Sequence, residues 1–343
     1  DMSSGMVMTV LGPVSPSSLG VTLMHEHVLW DLTPLSKRGT GEPEVEITLE
    51  NLHAVTYRPG HFHGNHRMQD VERAVREVAH FVAAGGGTIV EMTTGGIAPD
   101  PEGLARVSAR SGAAIVMGAG YYTEPYLERD VLSLSIEALT DLMIEQVTEG
   151  ASGTKVRCGI IGEIGCSWPL TDFERRSLQA AARAQRATGA AITVHPGRHP
   201  QAPHEILDIL DRAGANLSRV IIDHMDRTYP GQDEEVLALA KRGCVVEYDF
   251  FGIETSQYWM AVADLPTDYM RLRAIRRLFD AGLADRVVVS HDICTRSRLQ
   301  TYGGHGYSHL VRNVPGLMRD RGFSEADITT LLVENPRRLL TLA

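Results

Sequence analysis

Cysteine is scarce and scattered in this chain. Cys158, Cys166, Cys244 and Cys294 form no C-x-x-C pair, so no disulfide framework is implied and reduced thiols of a cytosolic protein are expected. Positive charge is also short. Lys plus Arg number 33 against 43 Asp plus Glu, a formal net charge of −10, so long-range electrostatics oppose nucleic acid and anionic lipid. Any anionic ligand must be captured locally. No apolar run approaches the length of a membrane-spanning helix. The opening "DMSSGMVMTVLGPVSPSSLG" lacks the basic segment and apolar core of a secretory signal. A cytoplasmic protein with neither nucleic-acid nor membrane partners is expected. There is no internal repeat, low-complexity tract or linker, so 1–343 is read as one domain.

The composition itself, 43% hydrophobic and 22% charged, is that of a soluble globular protein. Eight Val/Ile-rich runs read as strands: 21–28, 87–94, 113–122, 157–165, 190–196, 219–226, 244–250 and 286–292. Amphipathic patterns separate them, at 70–85 with Gly85 as a helix end, at 172–189 and at 202–215. Strand and helix in alternation describe a (β/α)8 barrel or a doubly wound sheet. The count of eight and the absence of a G-x-G-x-x-G turn favour the (β/α)8 TIM barrel. Three connections are long, 31–67 after strand 1, 251–267 after strand 7 and 293–309 after strand 8, and βα loops line the active-site mouth of a barrel.

In "LMHEHVLW", residues 23–30, His25 and His27 stand at i and i+2 of a strand, so both imidazoles share a face that Glu26 does not. Alone, such a pair serves equally as metal ligands or as hydrogen-bonded core histidines. The remaining strand ends decide between these readings. Glu163 ends strand 4, His195 strand 5, His224 strand 6 and Asp292 strand 8. Six imidazoles and carboxylates at the C-terminal face of a barrel are costly to bury singly, and a pair of divalent ions would compensate them. Four His with two carboxylates match the nitrogen and oxygen preference of zinc, with manganese, cobalt or iron also accommodated.

H-x-H on strand 1, an acid on strand 4, His on strands 5 and 6 and Asp on strand 8 resemble the amidohydrolase superfamily. Within it the chain is similar to the phosphotriesterase family and its phosphotriesterase-related group. The likeness runs through "LGPVSPSSLGVTLMHEH", "GIIGEIGCSWPLT", "VHPGR", "DHMDRT", "EYDFFG", "HDICTRSRL", "YGGHGYSH" and "ENPRRLL". It implies that His25, His27 and Asp292 hold one metal, that His195 and His224 hold the other, and that Glu163 bridges them. It further implies a hydroxide nucleophile at neutral pH, with Asp292 as the proton shuttle, and a possible homodimer. Phosphotriesterases proper place a carbamylated lysine on strand 4. Lys37, Lys155 and Lys241, the chain's three lysines, are all elsewhere, so Glu163 takes that role and metal assembly should not require carbon dioxide. Where those enzymes carry an outer acid and histidine relay, this chain has Arg227 and Phe250, which disfavours phosphotriesters.

Members of the related group are associated with hydrolysis of N-acetyltaurine, an amide with a sulfonate tail. The expected substrate is therefore a small anionic N-acyl amine, with Arg198 or Arg227 gripping the anion; a solvated or salt-bridged arginine is the plainer reading. The alternatives are a lactonase, esterase or weak phosphotriesterase using the same site, and a barrel that binds or regulates without turnover. Tyr121, Tyr122 and Trp168 either line the pocket or simply pack. "YGGHGYSH", with His305 and His309, is read as a loop over the substrate. His61, His63 and His66 are read as surface residues whose loop lacks carboxylates. Asp226 and Asp249 either orient metal-bound histidines or form structural salt bridges.

Overall fold

The computed structural model describes residues 3–343. Eight parallel strands form one sheet: β1 (Val21–Glu26), β2 (Gly86–Glu91), β3 (Ala114–Ala119), β4 (Ile160–Gly165), β5 (Ile192–His195), β6 (Val220–Ile222), β7 (Val245–Tyr248) and β8 (Val287–Val289). Each pairs in parallel with its neighbours in sequence, from β1 through to β8. At the remaining seam the Asp292 N–H donates to the His25 carbonyl at 3.0 Å. The sheet is thus the expected barrel, nearly closed. The third strand stops at Ala119, short of Tyr121 and Tyr122, because Gly120 at φ +102° turns the chain there.

Helices follow where the apolar period is three to four. They include α1 (Val71–Ala83), α2 (Pro101–Ser111), α3 (Ile136–Thr148), α4 (Asp172–Thr188), α5 (Ala202–Arg212), α6 (Asp233–Ala240) and α7 (Asp268–Asp280). Asp70 caps α1 by accepting the Arg73 N–H, and Gly85 at φ +104° leads the chain away beyond it. Thr171 and Glu174 form a capping box at the start of α4.

One residue from each of seven strands, Met24, Val90, Val116, Ile160, Ile221, Val245 and Val288, together with Ala191 just before β5, belongs to a buried cluster distinct from the main sheet–helix core. These residues fill the barrel lumen. The hairpin of Val7–Thr9 with Gly12–Val14 covers the lower end, where the Val10 N–H donates to the Ile115 carbonyl. The lumen is therefore plugged below. Gly118 on β3 serves this arrangement, since a Cβ there would collide with the carbonyl of Gly162, the residue before Glu163.

Candidate metal centre

All six strand-end residues converge. Glu163 is the hub: its Oε1 lies 3.3 Å from His27 Nε2, and its Oε2 lies 3.4 Å from His25 Nε2, 3.4 Å from His195 Nδ1 and 3.6 Å from His224 Nε2. Asp292 Oδ1 closes the group from β8, 3.3 Å from His25 Nε2 and 3.2 Å from His27 Nε2. His195 Nδ1 and His224 Nε2 are 3.0 Å apart. The donors fit cations rather than a finished hydrogen-bond network. His25 Nε2, Glu163 Oε2 and Asp292 Oδ1 are buried without a hydrogen-bond partner among the described residues, a cost that metal coordination would remove. His25, His27 and Asp292 form one group able to hold an ion, and His25, Glu163 and His224 share another with Asp223.

The supporting residues fix these donors. His27 Nδ1 is 2.9 Å from Thr93 Oγ1, whose hydroxyl donates to Glu91 at 2.5 Å. The buried Tyr307 hydroxyl donates to the His27 carbonyl at 2.5 Å. His224 Nδ1 is 2.8 Å from Asp249 Oδ1, and the His224 N–H donates to Asp249 Oδ2 at 3.1 Å. Asp226 accepts the Asp249 N–H at 2.9 Å and the Arg271 Nε–H at 2.5 Å. Of the two roles open to these acids, Asp249 thus orients a metal-site histidine, while Asp226 forms a buried salt bridge that steadies Asp249. His224 and Asp292 both adopt left-handed backbone, at φ +61° and +49°, a conformation uncommon for non-glycine residues and often found at functional sites.

The electrostatics are those of interleaved carboxylates and imidazoles. Burial would raise the Glu163 carboxyl, but the surrounding histidines hold it well below the usual range. Burial would lower His27, yet its contacts with Asp292 and Glu163 bring it up to about 9, and Asp249 brings His224 up to about 10. His195 is driven down to about 3 by burial, with His224 beside it.

The residues expected to meet substrate separate into two groups. Arg198 is exposed at the mouth, its Nε–H donating to the Tyr258 hydroxyl at 2.7 Å. Tyr122 meets the His195 ring edge-on with centroids 5.1 Å apart, and Trp168 stacks on His199 at 4.1 Å. Tyr121 turns away, packing on Phe173 at 6.2 Å. Arg227 corrects the expectation of a bidentate anion grip. It is buried, with Nη2 donating to the Pro196 carbonyl at 2.6 Å and Nη1 to the Gly197 carbonyl and the Thr228 hydroxyl. Its terminal nitrogens hold the chain beyond His195 instead of facing a ligand.

Two loop readings also change. Residues 302–309 do not lie over the site: Tyr307 props His27, His309 Nε2 lies 2.6 Å from Asp268, and His305 receives the Arg298 Nε–H at 3.3 Å. The loop of His61, His63 and His66 has an acid beside it after all, since the long first connection brings exposed Glu42 to 3.7 Å from His63. Sequence reasoning passed over Glu26, Glu91, Asp223 and Glu247. An acid inside a run as apolar as "CVVEYDF" or "TIVEMTT" was the available signal.

The phosphotriesterase family model matches residues 5–340. The N-acetyltaurine hydrolases of Salmo salar and Homo sapiens are each 42% identical to this chain, over 98% of both sequences in each case. The crystal structure of a resiniferatoxin-binding protein from Rhodobacter sphaeroides superposes with a TM-score of 0.91 at 36% identity, covering 98% of this chain and 95% of that one. With its barrel, the histidines and carboxylates gathered at its strand ends and these relatives, the chain belongs to the phosphotriesterase family.

Proposed function

We propose that this protein is a two-metal amidase that cleaves N-acetyltaurine or a similar small anionic N-acyl amine. The observation that carries the reading is the convergence of four histidines and Asp292 on Glu163 in a chain 42% identical to N-acetyltaurine hydrolases. His25, His27 and Asp292 would hold one divalent ion, His195 and His224 the other, with Glu163 between them. Zinc suits this mixture of nitrogen and oxygen donors. Bound there, the ions would supply Lewis acidity, lowering the pKa of water and polarising an acyl oxygen.

The chain's own groups supply the rest. Asp292, between His25, His27 and the open face, accepts the proton of the attacking water and passes it to the departing amine nitrogen as the C–N bond breaks. Arg198, exposed beside Tyr258 and free of a carboxylate partner among the described residues, holds the sulfonate at the mouth. Tyr122 walls the His195 side. The cytoplasm and a homodimer complete the reading, supported by the scattered free cysteines and by the family respectively.

One observation favours a lactonase as the second reading. Phe250 packs 5.5 Å from His224, an apolar ring that cannot pass on a proton, and an ester asks less of the leaving-group proton donor than an amide does. The deciding experiment is taurine release from N-acetyltaurine by zinc-reconstituted protein, with His25→Ala as control. Release that vanishes in the variant supports the amidase. No release from metal-loaded protein rejects this substrate and moves the search to lactones and other N-acyl amino acids.

A further inference from the structure

Below the metal centre, on the side of His25 that faces away from Glu163, the lumen holds three carboxylates. His25 Nδ1 lies 3.4 Å from Asp223 Oδ2, 3.6 Å from Glu247 Oε1 and 3.6 Å from Asp249 Oδ2, and all four side chains are wholly buried. Asp223 and Glu247 stand two residues beyond the lumen residues Ile221 and Val245, so strand alternation aims them into the barrel.

These acids are not equally occupied. Asp249 is engaged by the ring and the backbone of His224. Asp223 Oδ1 accepts the Thr193 hydroxyl at 2.6 Å. Asp223 Oδ2, both oxygens of Glu247 and His25 Nδ1 have no hydrogen-bond partner among the described residues. A buried carboxyl bonded at neither oxygen is expensive, and an apolar side chain of similar volume would cost less. Stability does not explain Glu247, so its use lies in what it faces.

What it faces is the free nitrogen of a metal-site histidine. An imidazole that ligates through Nε2 keeps its proton on Nδ1, and an acceptor there fixes both the tautomer and the ring direction. His27 has Thr93 in that place and His224 has Asp249. For His25 the available acceptors are Asp223 and Glu247. We propose that Asp223 and Glu247 are a positioning pair that takes up the Nδ1–H of His25 and holds its Nε2 toward the metal. This inference rests on the two-metal reading above.

The test is zinc binding by the full-length protein, followed by competition with a chelator and by elemental analysis, for the unsubstituted chain and for Glu247→Leu, Glu247→Gln and Asp223→Asn. The unsubstituted protein should bind two equivalents. Glu247→Leu should bind zinc about ten- to a hundredfold more weakly, as loss of an outer-shell partner does. Glu247→Gln keeps a carbonyl acceptor and should bind more tightly than Glu247→Leu. The metal-free Glu247→Leu protein should unfold no earlier than the unsubstituted one, a result that a purely structural role would reverse.

Unchanged zinc affinity in both Glu247→Leu and Asp223→Asn would overturn the inference while leaving the two-metal centre intact. A third equivalent of zinc, lost in Glu247→Leu, would overturn it too, because the acids would then be ligands themselves. Absence of any zinc from the unsubstituted protein would refute the centre and the positioning pair together. Should Glu247→Leu not fold, Glu247→Ala and Asp223→Ala, which also remove the acceptor, carry the same comparison.

Discussion

The Glu26 carboxylate lies 2.5 Å from His291 Nδ1 and joins the first strand of the barrel to the chain that follows the last. The same Oε1 accepts the His291 N–H at 3.0 Å and the Ser290 hydroxyl at 3.1 Å, while Oε2 accepts the Ile293 N–H at 2.9 Å. Asp292 is held by its neighbours on both sides. Glu26→Ala should therefore destabilise the fold by about 1–3 kcal/mol through its unsatisfied partners. It should also weaken zinc binding. Urea unfolding and zinc titration of the same preparation check both outcomes, and a stable protein with normal zinc affinity would refute the clasp.

Much of this site was legible in the sequence because a barrel turns chain order into spatial order. A polar residue ending each apolar run had to arrive at one face, so His25, His27, Glu163, His195, His224 and Asp292 could be read in advance. Glu26 could not, although it stands between two of them, because its partners are 264 to 267 residues away along the chain. Arg227 misled for a related reason. Its neighbours in sequence suggested a charge facing the site, whereas the carbonyls of Pro196 and Gly197, supplied by the adjacent strand, absorb its donors. The helix starts were legible from the apolar period alone, 172 and 202 coinciding with the observed first residues.

Glu163→Ala should abolish binding of both ions at once, because among the described residues Glu163 alone touches all four histidines. The barrel should remain folded, since the apolar residues that fill the lumen are untouched by the substitution. Elemental analysis beside circular dichroism separates the two effects, and full zinc occupancy in this variant would end the bridging role.

Arg198 and Arg227 should behave differently. Arg198→Ala should raise KM for N-acetyltaurine about ten- to a hundredfold, the loss of a charge-assisted contact, with little change for an uncharged lactone. Arg227→Leu should instead lower stability by about 1–3 kcal/mol, because buried carbonyls lose their donors. Steady-state kinetics on a charged and an uncharged substrate, paired with urea unfolding, tell the two arginines apart.

Acid sensitivity should be traceable to Asp268. Burial would raise its carboxyl, but the His309 hydrogen bond at 2.6 Å and the Arg271 guanidinium at 2.7 Å outweigh that and hold it well below the usual value. A depressed native pKa contributes stability that is fully present above the unfolded value, about 4, and is lost as pH falls through the native one. Unfolding free energy measured between pH 6 and pH 3 should fall less steeply in Asp268→Asn than in the unsubstituted protein. Equal slopes would refute the assignment.

The clasp at Glu26 also defines what can be transplanted. H-E-H places two histidines in the lumen and one acid on the seam, so the tripeptide is half of a lock whose other half is Ser290–Ile293. Grafted onto a different barrel without that second segment, it would bring the imidazoles but leave Glu26 buried and unanswered, with Asp292 unsupported. The inheritable module is two stretches of chain from opposite ends of the sequence, and deletions or insertions within either should be tolerated only when the other changes with it.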